Sequence, residues 1–309
     1  RTAYHTMPNP QTLLLHLLLP AALTAGALLL VSGAWRKPSV WAVRAAWAVA
    51  LPLGYAVGHY RVFGLPQLDR LEARDWLMMM AGAMAVLQAL VAMMKVRGKA
   101  AVVLAALPIV FTPLLVLQYL GAWSQTQWLG WSAGLALAGL GLTLGLRQLE
   151  AHGDVGLPIG LGVCALAWGV FVWASGAMHI GQLSMTLGGA IAGGCAACFA
   201  LPREYRHVGS ASITALLLIG QLLLGYFYVY GMDDPTSDRW IRTVIIAASP
   251  LIMWLPQFVW PRDTRPVGRV VFIAVLLALV VGPPAREYYE QVVGDNAPPA
   301  GSAWDTHNE

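Results

Sequence analysis

Charged residues are scarce in this chain of 309 residues. Lys, Arg, Asp and Glu make up 11% of it and hydrophobic residues 58%, whereas a soluble domain carries about 25% charged residues. This composition excludes an ordinary soluble fold. The formal net charge is +4, but the basic residues are scattered in small groups and do not form a nucleic-acid-binding patch. The sequence therefore predicts the lipid bilayer as the main partner and no nucleic acid.

Cysteine is also rare, with three residues in the chain. Cys164, Cys195 and Cys198 all fall inside apolar runs, where cysteine behaves as a small hydrophobic residue. The pair Cys195 and Cys198 has C-x-x-C spacing, but it lacks the βαβ context of a redox motif and the second pair of a zinc site. Helix packing is the favoured role for all three.

Motifs of soluble-type catalysis are absent. The chain has no Walker loop, dinucleotide glycine fingerprint, H-E-x-x-H or nucleophile elbow. Haem ligation by two histidines is disfavoured because His16, His59 and His179 are assigned to different depths or faces. The sequence predicts no catalytic residue, cofactor or bound metal, and it favours a protein that is not an enzyme.

Long apolar runs dominate what remains, and they are continuous, not alternating. Runs of about 20 apolar residues are typical of transmembrane helices, which satisfy every backbone hydrogen bond internally. We predict an all-α, polytopic transmembrane bundle of about ten helices, forming one domain over residues 1–282, with a polar external tail at 283–309. The predicted spans are 11–35, 40–60, 76–94, 100–119, 128–146, 155–178, 180–201, 210–230, 243–260 and 267–281.

The charges of the connecting loops alternate, and this alternation predicts the orientation. Short cytoplasmic loops are enriched in Lys and Arg, as are 95–99, 202–207 and 261–269. The loops 59–75 and 231–242 are rich in Asp and Glu. Both termini are therefore expected outside, or in the periplasm if the source is bacterial, in a multi-pass protein of the cell membrane or bacterial inner membrane.

The stretch from His59 to Trp76 is expected to be a water-facing connection. With its acids placed there, no predicted span carries Asp or Glu deep inside it. Because buried carboxylates commonly mark proton paths in membrane proteins, a carboxylate proton relay is not predicted.

Polar side chains within the spans are few. They are expected either to hydrogen-bond between helices or to line a polar cavity, and contact between helices is the favoured role. These residues are His16, Gln88, Gln182 and Gln221.

Pairs of glycines spaced four residues apart predict close helix packing, because they let two backbones approach. Static packing is favoured over a sliding interface. The glycines concerned are Gly130, Gly134, Gly141, Gly145, Gly156, Gly160, Gly189 and Gly193.

Two aspartates after the eighth predicted span are candidates for binding a hard cation. Asp234 and Asp238 could present two carboxylates to it. This spacing resembles the aspartate-rich loops of membrane prenyltransferases, and the resemblance would imply lipid or prenyl transfer. The loop 59–75 lacks that family's Asn-x-x-x-Asp partner motif, so this is the least favoured of three functions.

The favoured function is a permease or facilitator for a neutral or amphipathic solute, which would cross between proline-interrupted and glycine-faced helices. The alternative is a non-catalytic accessory subunit of a membrane complex. It would contact other membrane subunits through the external loops 59–75 and 231–242. The sequence does not identify a solute or a partner.

Overall fold

The chain was described with a computed structural model. It describes residues 10–34, 39–67, 69, 71–96, 124–150, 156–174, 178–201 and 210–230, with scattered single residues at 100–104 and 268–286. Every regular element in these residues is a helix. This confirms the predicted all-helical class for the described part of the chain.

Seven helices are described, and their order follows the predicted spans in the same regions. Five of them, α1, α2, α3, α4 and α6, are long and apolar enough to cross a membrane. The other two contain shorter apolar segments. The helices are α1 (Pro10–Ala34), α2 (Val40–Phe63), α3 (Ala73–Met93), α4 (Gln125–Glu150), α5 (Gly156–Ala174), α6 (Met178–Ala200) and α7 (Ala211–Tyr230).

Three predicted spans, 100–119, 243–260 and 267–281, lie wholly or mostly outside the described residues, as does most of the tail 283–309. The count of ten spans and the external position of the termini therefore stay predictions. Apolar helices of membrane-crossing length indicate a membrane protein.

Local signals explain where several helices begin and end. At the start of α2, the Ala42 N–H donates to the Ser39 hydroxyl over 3.2 Å, an N-cap that satisfies a free backbone donor. Ser124 and Gln127 form a reciprocal capping box at the start of α4. Gly64 follows α2 with a positive φ of 81°, a conformation that suits glycine and lets the chain turn.

Helix α6 is the centre of the described bundle. Within its membrane-crossing segment 72% of the residues are buried inside the protein, against 22–44% in the other four candidate spans. It packs against α1, α2 and α5. A side chain at Gly189 or Gly193 would meet the α1 backbone, and one at Gly58 of α2 would meet Thr186. These contacts place α1 parallel and α2 antiparallel to α6.

The core is formed by two groups of buried apolar side chains. The larger group lies among α2, α3, α5, α6 and α7 and includes Leu77, Trp168 and Leu217. The smaller group lies among α1, α2 and α6 and includes Leu28 and Trp47. Because lipid tails are as apolar as these side chains, close packing contributes more here than removal from water does.

The three cysteines are buried and unbonded. Cys164 and Cys195 belong to the larger group and Cys198 to the smaller one. In this structure they pack as small apolar side chains.

One end of the bundle contains the linker of residues 64–72, the end of α2 and the start of α3. The start of α6 lies at the same end, since the rings of Phe63 and His179 are 6.0 Å apart between centroids. We call this the linker end. The side chains of the candidate site lie at the linker end or between the helices, farther toward the middle of the bundle.

Candidate functional site

A buried acid and base face each other across the hairpin of α2 and α3. His59 lies about one turn before the end of α2, and Asp75 lies in the first turn of α3. The Nε2 atom of His59 is 3.3 Å from the Oδ1 atom of Asp75, and the two side chains are 0% and 6% exposed. The antiparallel arrangement of the two helices produces this contact.

The second carboxylate oxygen of Asp75 also has a partner. The Glu72 N–H donates to Asp75 Oδ2 over 3.0 Å, in the manner of a helix capping box. The amino-terminal end of a helix also favours a negative charge. Both oxygens are therefore engaged, which offsets part of the cost of removing a carboxylate from water.

Two further polar side chains continue the site toward the middle of the bundle. Tyr55 precedes His59 by one helical turn and is fully buried, so the two share a face of α2. Its hydroxyl lies beside the side chain of Gln221 in α7, outside full hydrogen-bond geometry. Gln221 is 1% exposed. We call Tyr55, His59, Asp75 and Gln221 the polar cluster.

Gln221 also connects the cluster to the central helix. Its Nε2 atom donates to the Leu183 carbonyl of α6 over 3.1 Å, and the Thr186 hydroxyl donates to the same carbonyl over 2.7 Å. The cluster thus contacts α2, α3, α6 and α7. Four helices converge on it.

Several polar atoms of the cluster have no hydrogen-bond partner among the described residues. They are both ring nitrogens of His59, the hydroxyl of Tyr55 and Oε1 of Gln221; Nε2 of His59 is within ion-pair distance of Asp75 but outside hydrogen-bond geometry. Ser184 of α6 is 1% exposed, and its hydroxyl also has no hydrogen-bond partner among the described residues. Buried polar groups are nearly always hydrogen-bonded, so unpaired ones call for an occupant such as water or a polar ligand.

The Phe63 ring covers the cluster at the linker end. Its centroid is 5.3 Å from that of His59 and 6.0 Å from that of the exposed His179. The Arg74 guanidinium lies 4.0 Å from the centroid of the same ring, a cation–π distance, and pairs with Glu72 at 3.0 Å. We call this arrangement the Phe63 cap. The buried His59 packs against the Phe63 ring on this side.

The helix rise gives the depth of the cluster. At 1.5 Å per residue, Asp75 and His59 lie roughly 3–6 Å below the ends of their helices, and Tyr55 roughly 12 Å below. The hydrocarbon core of a bilayer is about 30 Å thick. The cluster therefore extends from near the linker end to somewhat less than halfway through such a layer.

The prediction that residues 59–75 form a water-facing connection is wrong at both ends. His59 and Asp75 are buried between helices. The connection between α2 and α3 consists of residues 64–72 alone. Asp75 is buried but lies in the first turn of α3, so the related expectation, that no span carries Asp or Glu deep inside it, stays a prediction. Counting charges along the chain cannot detect a histidine and an aspartate that contact each other across a hairpin.

A signal for the pair does exist in the sequence. Glu72 and Asp75, spaced three apart before an apolar run, match the start of a helix, which would place Asp75 inside α3. Tyr55 and His59 have the spacing of one helical turn. Both spacings indicate that these residues lie in helices and not in a loop.

The polar residues predicted within the spans are distributed differently. Gln221 belongs to the polar cluster. Gln182 is 6% exposed and His16 is 5% exposed, with His16 Nδ1 unpartnered in the described part of the chain. Gln88 is half-buried. Asp234 and Asp238, the candidate cation ligands, lie outside the described residues.

The predicted glycines also differ in their surroundings. A side chain at Gly189 would meet the Leu17 backbone, and one at Gly193 the Ala21 backbone. At Gly130, Gly134 and Gly141 no described atom lies within 4 Å of a would-be side chain. Gly145 and Gly160 are buried, and the surroundings of Gly156 lie outside the described side chains.

Comparison with known proteins identifies no relative. No family model, no curated protein and no solved structure matches the chain. Within the described residues, no group of three or more His, Cys, Asp and Glu side chains is placed to hold a metal ion. The site must be interpreted from its own geometry.

Proposed function

We propose that the protein is a membrane permease, and that the polar cluster is its solute site. The observation that supports this is the group of unpaired polar atoms on three fully or almost fully buried side chains, Tyr55, His59 and Gln221. Ionisable and polar residues inside a membrane bundle are costly and commonly mark a substrate path. A purely structural cluster would be expected to satisfy all of its members.

The chemistry of the cluster favours a small polar solute over a lipophilic one. Tyr55 offers a hydroxyl that can donate or accept, Gln221 offers an acceptor oxygen, and His59 offers its second ring nitrogen. These groups come from α2 and α7 and face one region between helices. A solute with several hydroxyl, amide or amine groups would complete their hydrogen bonds.

The position of the cluster also suits transport. It lies below the linker end, and the Phe63 ring covers it there. Alternating access requires a site that opens to one side of the membrane at a time. In this proposal the structure corresponds to a state closed at the linker end.

The test is uptake into proteoliposomes that contain the purified protein. A labelled panel would include a polyol, a zwitterionic amino acid, a small carboxylate and a small amine. We expect saturable uptake of at least one class, and a loss of at least about tenfold, equivalent to ~1.4 kcal/mol, in His59→Gln and in Gln221→Met. Thr24→Val is the matched control, because Thr24 is equally buried but donates to the Ala50 carbonyl, away from the cluster.

Two outcomes would count against the proposal. One is that the wild-type protein shows no saturable uptake of any solute in the panel. The other is that His59→Gln and Gln221→Met transport as well as Thr24→Val. Native mass determination after gentle extraction would then test the accessory-subunit alternative, which requires a stoichiometric partner.

A further inference from the structure

We propose that His59 and Asp75 together form a proton-binding site, so that the ion coupled to solute movement is H⁺. The role in transport rests on the proposed function. The binding of the proton does not, and it can be measured without any solute. The inference starts from the 3.3 Å contact between a buried imidazole and a buried carboxylate.

The geometry fits a proton better than a metal cation. Asp75 Oδ1 faces His59, and Oδ2 accepts the Glu72 N–H, so neither oxygen is open. A hard cation such as Ca²⁺ needs about six or more oxygen ligands. Among the described residues of the cluster, only the Tyr55 hydroxyl and Gln221 Oε1 remain. A proton needs a single lone pair, and His59 Nδ1, which has no hydrogen-bond partner among the described residues, provides it.

The step itself is simple. In the neutral imidazole Nε2–H faces the Asp75 carboxylate, so the lone pair is on Nδ1. A proton from water forms an N–H bond with the lone pair of His59 Nδ1, and the imidazolium pairs with the Asp75 carboxylate through Nε2–H. Release reverses the step and returns the proton to water. Imidazole is the side chain whose ordinary charge change falls nearest neutral pH, and no electron transfer is involved.

Protonation changes the charge of the cluster and therefore its preference for a solute. With the proton bound, the pair is an ion pair with no net charge; without it, the cluster carries the charge of Asp75. In a low-dielectric interior this difference is large. A solute that hydrogen-bonds to the cluster will distinguish the two forms, which is the basis of coupling.

The other titratable or charged groups around the pair are few in the described helices. Helix α2 adds Tyr55, α3 adds Glu72 and Arg74, and α6 adds His179, beyond the Phe63 ring. Helix α7 contributes Gln221, which does not titrate. Helix α1 carries His16, whose nearby charged group is Arg61.

The same pair also explains the position of the Phe63 cap. The ring packs near both the exposed His179 and the buried His59, and phenylalanine cannot carry a proton. In this proposal a movement of the ring controls proton exchange with the linker end. A coupled permease needs such control to prevent protons from leaking past its solute site.

The test is a pH titration of the purified protein in detergent, without solute, followed by NMR of ¹⁵N-labelled histidine. His59→Gln identifies the His59 resonance by its loss, and His179→Gln identifies that of the exposed histidine. We expect the His59 resonance to move with pH as the imidazole gains and loses one proton. In Asp75→Asn the midpoint of this titration should fall, because the neutral amide does not stabilise an imidazolium.

Asp69→Asn is the control, since it removes an exposed carboxylate from the linker and should leave the midpoint in place. A His59 resonance that does not move with pH while the protein stays folded would overturn the proposal. So would an Asp75→Asn protein that titrates like wild type. If His59 titrates as expected but no solute is taken up, the proton site stands and the permease proposal fails. If uptake is saturable but the His59 resonance does not move with pH, the permease proposal stands and the proton site fails.

Discussion

Gly193 of α6 lies directly against the backbone carbonyl of Ala21 in α1, so that no side chain fits between the two helices. Gly189 meets Leu17 in the same way one turn earlier. Such contacts are how small residues hold membrane helices together when lipid provides no hydrophobic drive. They fix α1 to the central helix of the bundle.

Gly193→Val should therefore destabilise the protein strongly, because the obstacle is backbone, which cannot rotate away. Overpacking costs about 1–3 kcal/mol, occasionally more, and the upper part of that range is expected. Thermal denaturation in detergent, followed by size-exclusion chromatography, would measure it.

Gly134→Val is the matched control for that variant. It is the same substitution in another candidate span, at a position with no described atom within 4 Å, and it should change stability by less than about 0.5 kcal/mol. Equal effects of the two substitutions would contradict the close approach of α1 and α6.

The contact between His59 and Asp75 predicts an unusual ranking of variants. His59→Leu leaves the buried Asp75 carboxylate without the imidazole that faces it, and a buried carboxylate without a partner destabilises the folded state. Adding Asp75→Asn removes that charge and retains an oxygen for the Glu72 N–H. The double variant should therefore be more stable than His59→Leu alone. Denaturation curves for the four proteins of this cycle would show it, and a double variant less stable than the single one would refute the pairing.

The Phe63 cap predicts a difference between two histidines in chemical modification. Diethyl pyrocarbonate should modify the exposed His179 and leave His59 untouched, and Phe63→Ala should make His59 reactive. Mass spectrometry of the two peptides would give the extent of each reaction. Leu65→Ala, an exposed position in the linker, serves as the control. Modification of His59 in the wild-type protein at the rate of His179 would contradict the cap.

The membrane orientation remains a prediction of the loop charges, and cysteine labelling can measure it. Single cysteines at Ser237, Ser302 and Gly98, in a background without Cys164, Cys195 and Cys198, would be treated with an impermeant thiol reagent on intact cells. Labelling at 237 and 302 but not at 98 is expected. Labelling at 98 alone would invert the orientation, and disagreement between 237 and 302 would mean that the span count after Tyr230 is wrong.

Hydrophobicity was sufficient to predict the helical class, because a run of about 20 apolar residues has few alternatives in a bilayer. It could not predict the site. Asp75 looks like a loop residue in a linear charge count, His59 falls at the edge of the predicted span 40–60, and their pairing depends on the register of α2 against α3. That register is set by packing between helices and not by any local pattern.

The glycines also show that a local sequence pattern does not determine contacts between helices. Gly130 and Gly134 in α4 have the spacing of Gly189 and Gly193 in α6, yet described neighbours lie against the second pair and not the first. The spacing indicates that a close approach is possible. It does not indicate which helix makes it.

The central position of α6 has a consequence for biosynthesis. Two of its partners, α1 and α2, leave the ribosome long before it does, and the groove that they form stays open until α6 enters the membrane. Gln221, the last member of the polar cluster, is made later still. Throughout that interval the imidazole and carboxylate of the α2–α3 hairpin lack the neighbours that enclose them, so newly made α1, α2 and α3 depend on the translocation machinery, or on each other, for shelter from lipid.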